Sequence, residues 1–197
     1  MGRCDWFQAG SEDYKRTPRA RNVMEELLPF GSALYCLILA VLCFARGADF
    51  LSTWVATPNL VLEANPLARK LGWRGGMVVN AILCVLFAAW PLPAIVISTT
   101  SLLVAARNFQ SAWLMRSLGE EPYRYWVVER LRETPMPLYL FCLLAQTGLI
   151  ASVGIALMFF SQLHLVPFAV GMGIVTYAIA VTFFTLLSLW RIRRSSS

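Results

Sequence analysis

Residues 27–45, LLPFGSALYCLILAVLCFA, hold no charged side chain. They reach the roughly 20 consecutive apolar residues that a ~30 Å hydrocarbon core demands of a helix. Pro29 falls in the first turn of such a helix, where a missing N–H costs little. A run of this kind, repeated along a chain, leaves few folds open. With 58% hydrophobic and 14% charged residues and a mean hydropathy of +0.61, the 197-residue chain carries more apolar surface than a water-soluble domain can hide. The expected fold class is all-α: an integral membrane helical bundle of about five transmembrane helices plus one interfacial amphipathic helix.

The first span is expected to extend to about residue 55, because Asp49–Trp54 is still a fair helix past Gly47, and Thr57-Pro58 ends it. The second is expected over 75–90, with Pro91 and Pro93 forcing a tight return, and the third over about 94–115. That third run carries Ser98, Thr99, Thr100, Ser101, Arg107, Asn108, Gln110 and Ser111, so its polar face should turn toward protein or water and not toward lipid. Residues 117–135 mix aromatics with arginines, and a helix over about 120–133 is read as lying in the headgroup plane. Spans four and five are expected at 136–160 and 166–190, within one membrane domain covering 27–194. They leave a polar tail at 1–26 without the apolar core of a signal peptide and a short tail at 195–197.

The net charge of +6 does not point to nucleic acid, since the cations sit at the ends of apolar runs and form no basic face. Lys and Arg outside the spans number five in the N-terminal tail, three at 69–74, four at 116–132 and three at the C-terminal end. Five spans place the last three groups on one side, and the positive-inside rule puts the C-terminus in the cytoplasm. The expected location is a prokaryotic inner or plasma membrane, and the expected partners are the lipid bilayer and either a second copy or a larger membrane complex. Gly148, Ser152 and Ala156 recur every fourth residue in span four, and Ala169 and Gly173 do so in span five. Both stripes are of the kind that lets helix backbones approach.

A polar constellation interrupts this apolar frame. Asp49 and Thr53 lie one turn apart on a helix face, with Ser52 beside them and Arg46 one turn before. Glu63-Ala-Asn65-Pro66 reads as a helix entry, Asn65 at the N-cap and Pro66 in the first turn. Asn80 in span two, and Arg107 with Asn108 in span three, add donors at membrane depth. A charge near the bilayer centre costs roughly 2.5–3.5 kcal/mol on insertion scales, so Asp49 and Arg107 require partners, and one economical arrangement pairs them with each other. Asp49, Thr53, Glu63, Asn65, Asn80, Arg107 and Asn108 are the candidate ligand or ion-binding residues.

Asp49-x3-Thr53 followed by Glu63-x-Asn65-Pro66-Leu67 and a hydrophobic span resembles a D…T…E-x-N-P-L signature of small, uncharacterised prokaryotic membrane proteins. The likeness covers roughly residues 35–110, with Pro58 additional in the gap. It implies a polytopic membrane fold with these polar positions and no activity to transfer.

Other chemistries find no support in the residues. Five cysteines without a C-x-x-C pair make neither a disulfide framework nor a zinc site, and four of them lie inside apolar runs as small hydrophobes. The single histidine, His164, cannot supply a His-rich metal site or H-E-x-x-H, and there is no phosphate-binding G-x-x-x-x-G-K-[ST] loop. Gly171-Met-Gly173 is too short for a dinucleotide fingerprint and reads as a helix contact. No cofactor or metal is called for. The function expected first is a small transport or ligand-binding module. A structural or accessory subunit comes second, and a lipid-modifying enzyme working near Glu63 comes third.

Overall fold

The computed structural model describes residues 27–60 and 66–194. The polar tail 1–26, the tail 195–197 and the Glu63-Ala-Asn65 helix entry lie outside the described residues. Among the described residues six helices run in order: α1 Ala33–Ala56, α2 Pro66–Phe87, α3 Pro91–Leu118, α4 Glu120–Glu133, α5 Met136–Phe160 and α6 Leu165–Arg194. Five of them, all but α4, contain a stretch long and apolar enough to cross a membrane. The described residues thus form an all-helical bundle with five candidate membrane spans.

The helix ends follow from local chemistry. α1 starts at Ala33 and not at residue 27, so Pro29 lies before the helix and not in its first turn. Gly31 takes a φ of 80°, and the Ser32 side chain accepts the Tyr35 N–H at 3.2 Å as N-cap. The segment before it is pinned where Leu28 N–H donates to Ala89 O at 2.9 Å. α2 contains a break at Gly72, φ 63°, a conformation that costs a residue without a Cβ least. Pro91 and Pro93 do not form the return itself. They occupy the first turn of α3, and the chain reverses in the short stretch after Phe87. Gly119, φ 85°, turns α3 into α4, whose first turn holds Glu120 and Glu121 and whose last holds Arg130 and Arg132, matching the helix dipole.

The helices pack as a row, α5 on α6, α6 on α3 and α3 on α1, with α2 touching the α1–α3 edge lightly. Small residues set the crossings. A Cβ on Gly154 would stand 2.8 Å from Gly171 O, and one on Gly173 would stand 2.6 Å from Thr99 Cβ, so the two glycines of Gly171-Met-Gly173 serve opposite neighbours. Thr100 Oγ1 also donates across that second crossing to Gly173 O at 3.0 Å. The predicted stripe in α5 behaves differently: Gly148, Ser152 and Ala156 are exposed, and α5 meets α6 through Gly154 instead. α2 joins the buried core at its C-terminal end, where Cys84 packs with Leu42 and Ala94, and Ala88 and Ala89 pack with Tyr35.

Candidate intramembrane polar site

Arg46 stands about 20 Å along α1 from its start, at the 1.5 Å rise of an α-helix, and so near mid-span. Its guanidinium is the hub of a network across three helices. Nη1 donates to Asp49 Oδ2 at 2.9 Å and to Ser101 Oγ of α3 at 3.0 Å. Nε donates to Asn80 Oδ1 of α2 at 2.8 Å, and Nη2 donates to the same oxygen. Asn80 is itself oriented by donating from Nδ2 to Gly76 O at 2.8 Å. The Arg46 and Asp49 side chains remain 29% and 19% exposed, so the ion pair is only partly withdrawn from its surroundings.

One turn further on, Asn108 of α3 joins the same face. Its Nδ2 donates to Ser52 Oγ at 3.2 Å and to Thr53 Oγ1 at 3.3 Å. Both hydroxyls donate in turn to the backbone carbonyl of Asp49, at 2.8 and 3.0 Å. This back-bonding is the usual way for Ser and Thr to satisfy their protons inside a helix. Ser52 is fully buried, which makes its reciprocal partner Asn108 a necessity of packing as well as a donor.

Of the predicted residues, Asp49, Thr53, Asn80 and Asn108 converge here. Glu63 and Asn65 lie outside the described residues. Arg107 does not join: Asp49 pairs with Arg46, one turn away on its own helix, and no ion pair reaches Arg107 among the described residues. Proximity within α1 decides this, since a partner three residues back needs no interhelical reach. Sequence reasoning noticed Arg46 and Ser52 but did not include them among the candidate ligands. The signal available was an arginine in the middle of an otherwise spanning run.

A second cluster sits at the α1 C-terminal end. Glu120 accepts from Thr57 Oγ1 at 2.7 Å and from both the backbone and side-chain nitrogens of Asn59, at 2.9 and 3.1 Å. Arg116 lies over the Trp54 ring, 5.8 Å from its centroid. Trp73 donates from its indole to Pro58 O at 2.9 Å and meets Phe50 edge-on at 5.1 Å. These contacts hold the start of the α1–α2 connection against α4. Nothing in the sequence paired Glu120 with Thr57, because the link joins residues 63 apart.

Between α1 and the lightly held α2 lies a cavity of about 680 Å³. Its rungs alternate helix by helix: Cys43 and Cys84, then Arg46 and Asn80, then Phe50, Met77 and Trp73, then Trp54. Leu51, Trp54 and Met77 are exposed on the outer face, so the cavity is a groove that opens sideways, where a bilayer would lie. Close approach of the Phe50 ring depends on Gly76, where a Cβ would be 3.3 Å from Phe50 Cε2.

No protein-family model, curated protein or solved structure matches this chain. Its class rests on its own geometry: a polytopic helical protein of the membrane with an arginine-centred polar cluster at the floor of a lateral groove.

Proposed function

We propose that the chain is a small ligand-binding or transport module of a membrane, taking the polar headgroup of an amphiphile at Arg46 and Asn80 and its apolar part along the α1–α2 groove. The observation that carries this reading is that the cavity reaches the guanidinium from a side edged by the exposed apolar residues Leu51, Trp54 and Met77. A volume of 680 Å³ falls within the roughly 300–1,000 Å³ of small-molecule sites, and apolar walls with a few convergent polar groups are their usual make-up. Arg46 uses four donor contacts, leaving one Nη2 hydrogen, and Asn80 uses one of its two amide hydrogens. Both spare donors call for an acceptor, and an ester, carboxylate or phosphate oxygen supplies one.

The connection between α1 and α2, the helix α4 and the C-terminus share one end of the bundle, since five spans alternate direction and Glu120 bonds Thr57. That end carries ten of the cations, at 69–74, 116–132 and 191–194, against five in the N-terminal tail. By the positive-inside rule we place it in the cytoplasm of a prokaryotic cell, with α4 at the headgroup level.

A second reading, an accessory subunit whose polar cluster only locks helices together, is favoured by the way Arg46 ties α1, α2 and α3 in one network. Quenching separates the two. With Trp73 as the sole tryptophan, a brominated fatty acid or lysophospholipid in nanodiscs should quench saturably, and Asn80→Leu should weaken binding at least tenfold, about 1.4 kcal/mol. Quenching that is linear in added amphiphile and unaltered by Asn80→Leu would leave only the packing role.

A further inference from the structure

One end of the groove holds two thiols. Cys43 projects from α1 and Cys84 from α2, both line the cavity, and the two thiols are close enough to interact. They differ in access: Cys43 is exposed, and Cys84 is 4% exposed, packed behind it with Leu42 and Ala94. One turn above them stand Arg46 and Asn80 with their spare donors, and above those the rings of Phe50 and Trp73. The order along the groove is therefore thiol pair, hydrogen-bond donors, aromatic wall.

We infer that Cys43 and Cys84 form a redox-active dithiol whose oxidant is a membrane-dissolved quinone lying in the α1–α2 groove. The inference rests on the reading of the groove as an amphiphile site and names its ligand class. A quinone is flat and apolar, carries two carbonyl acceptors and no donor, and travels in the bilayer. It thus matches an aromatic-walled groove that opens sideways and offers the N–H donors of Arg46 and Asn80 beside the thiols. In the first step the exposed Cys43 sulfur adds to the quinone ring, and its proton goes to a ring oxygen. In the second, the Cys84 sulfur attacks the Cys43 sulfur, the bond between Cys43 and the ring breaks, and the ring leaves with the second proton as the quinol. Two thiols and one quinone become one disulfide and one quinol, two electrons passing from sulfur to ring. A disulfide here adds a covalent tie between α1 and α2, the least packed of the five candidate spans.

The test uses the full chain with Cys4, Cys36 and Cys142 changed to Ser, reduced, in anaerobic proteoliposomes with decylubiquinone as probe. Free thiols are counted by maleimide alkylation and mass spectrometry, and quinol by absorbance. The expected result is loss of both thiols with one quinol per chain. Asn80→Leu should slow that reaction at least tenfold without changing the rate with diamide, a thiol oxidant that needs no donors in the groove. Cys43→Ser should abolish quinol formation. A disulfide with diamide and none with quinone overturns the quinone assignment, and failure with both overturns the dithiol. Brominated-amphiphile quenching on the same vesicles keeps the two proposals apart: saturable quenching without quinol formation sinks the dithiol chemistry and leaves the amphiphile site standing. Quinol formation at equal rates in Asn80→Leu and its parent overturns the placement of the quinone against Arg46 and Asn80.

Discussion

The Arg46–Asp49 pair offers the sharpest quantitative expectation. Breaking a buried ion pair from one side costs about 3–5 kcal/mol, while an exposed pair contributes about 0.2–1 kcal/mol. With side chains 29% and 19% exposed, this pair falls between, and about 2 kcal/mol is a fair charge contribution. Arg46→Met also removes the contacts to Asn80 and Ser101. Interhelical hydrogen bonds in membranes average about 0.6 kcal/mol, so these add roughly 2 kcal/mol and the variant should lose about 4 kcal/mol. Asp49→Leu keeps those contacts and should lose about 2 kcal/mol, chiefly from the unpaired cation. The double variant Arg46→Met/Asp49→Leu removes both members of the pair and should lose less than the sum of the two single variants. At about 2–4 °C per kcal/mol for a chain of this size, the Arg46→Met midpoint should fall by roughly 8–16 °C in tryptophan-monitored thermal unfolding in detergent. Strict additivity of the two single effects would refute the coupling and with it the claim that Asp49 is the partner of Arg46.

Four further outcomes follow from the packing and the surface. Gly173→Ala places a Cβ 2.6 Å from Thr99 Cβ and 3.0 Å from Val96 O, so α3 and α6 must separate, at about 1–3 kcal/mol by thermal unfolding. Gly148→Ala meets nothing within 4 Å and should change the midpoint by no more than about 0.5 kcal/mol equivalent. Glu120→Ala removes the acceptor for Thr57 and Asn59, and should speed amide exchange at Asn59 while leaving the mid-span network intact. Burial raises the Tyr123 hydroxyl above its ordinary value, so ultraviolet titration should show this phenol ionising later than a free tyrosine. Folding then favours the neutral phenol: that stability is present below about pH 10, the unfolded value, and is lost as pH rises through the folded one.

How far the sequence carries depends on the range of the interaction concerned. Membrane-spanning runs are local, and their number and apolar character were legible because a ~30 Å core imposes a length on every one of them. The face shared by Asp49, Ser52 and Thr53 was legible for the same reason, since helical spacing alone fixes it. The choice of partner was not. Asp49 had a cation one turn away and another on a different helix, and only the row order α6, α3, α1 with α2 at its edge decides which polar groups meet at Arg46. The α5 stripe makes the same point from the apolar side. Gly148, Ser152 and Ala156 have the spacing of a contact, yet the crossing falls on Gly154, two residues from Ser152 on another face, where the α6 backbone comes closest.

The light attachment of α2 also bears on whether the polar cluster is packing or site. A network that only locks helices is expected to be closed on all sides, because each unfilled donor in a dry interior costs about 1–3 kcal/mol. Around Ser52 and Asn108, between α1 and α3, that is the arrangement found: Ser52 is fully buried and its hydroxyl both donates and accepts. Around Arg46 and Asn80 it is not, since α2 stands away from α1 along the groove and leaves one side of the cluster facing a cavity. The two halves of one constellation thus divide their roles. The α1–α3 half sets the position of Asp49 by bonding its backbone, and the α1–α2 half presents a guanidinium that Asp49 in turn holds in place. Asn108→Leu should therefore lower stability with little direct effect on amphiphile affinity, whereas Asn80→Leu should lower affinity more than stability. The reverse pattern in paired melting and quenching measurements would place the ligand on the other face of α1.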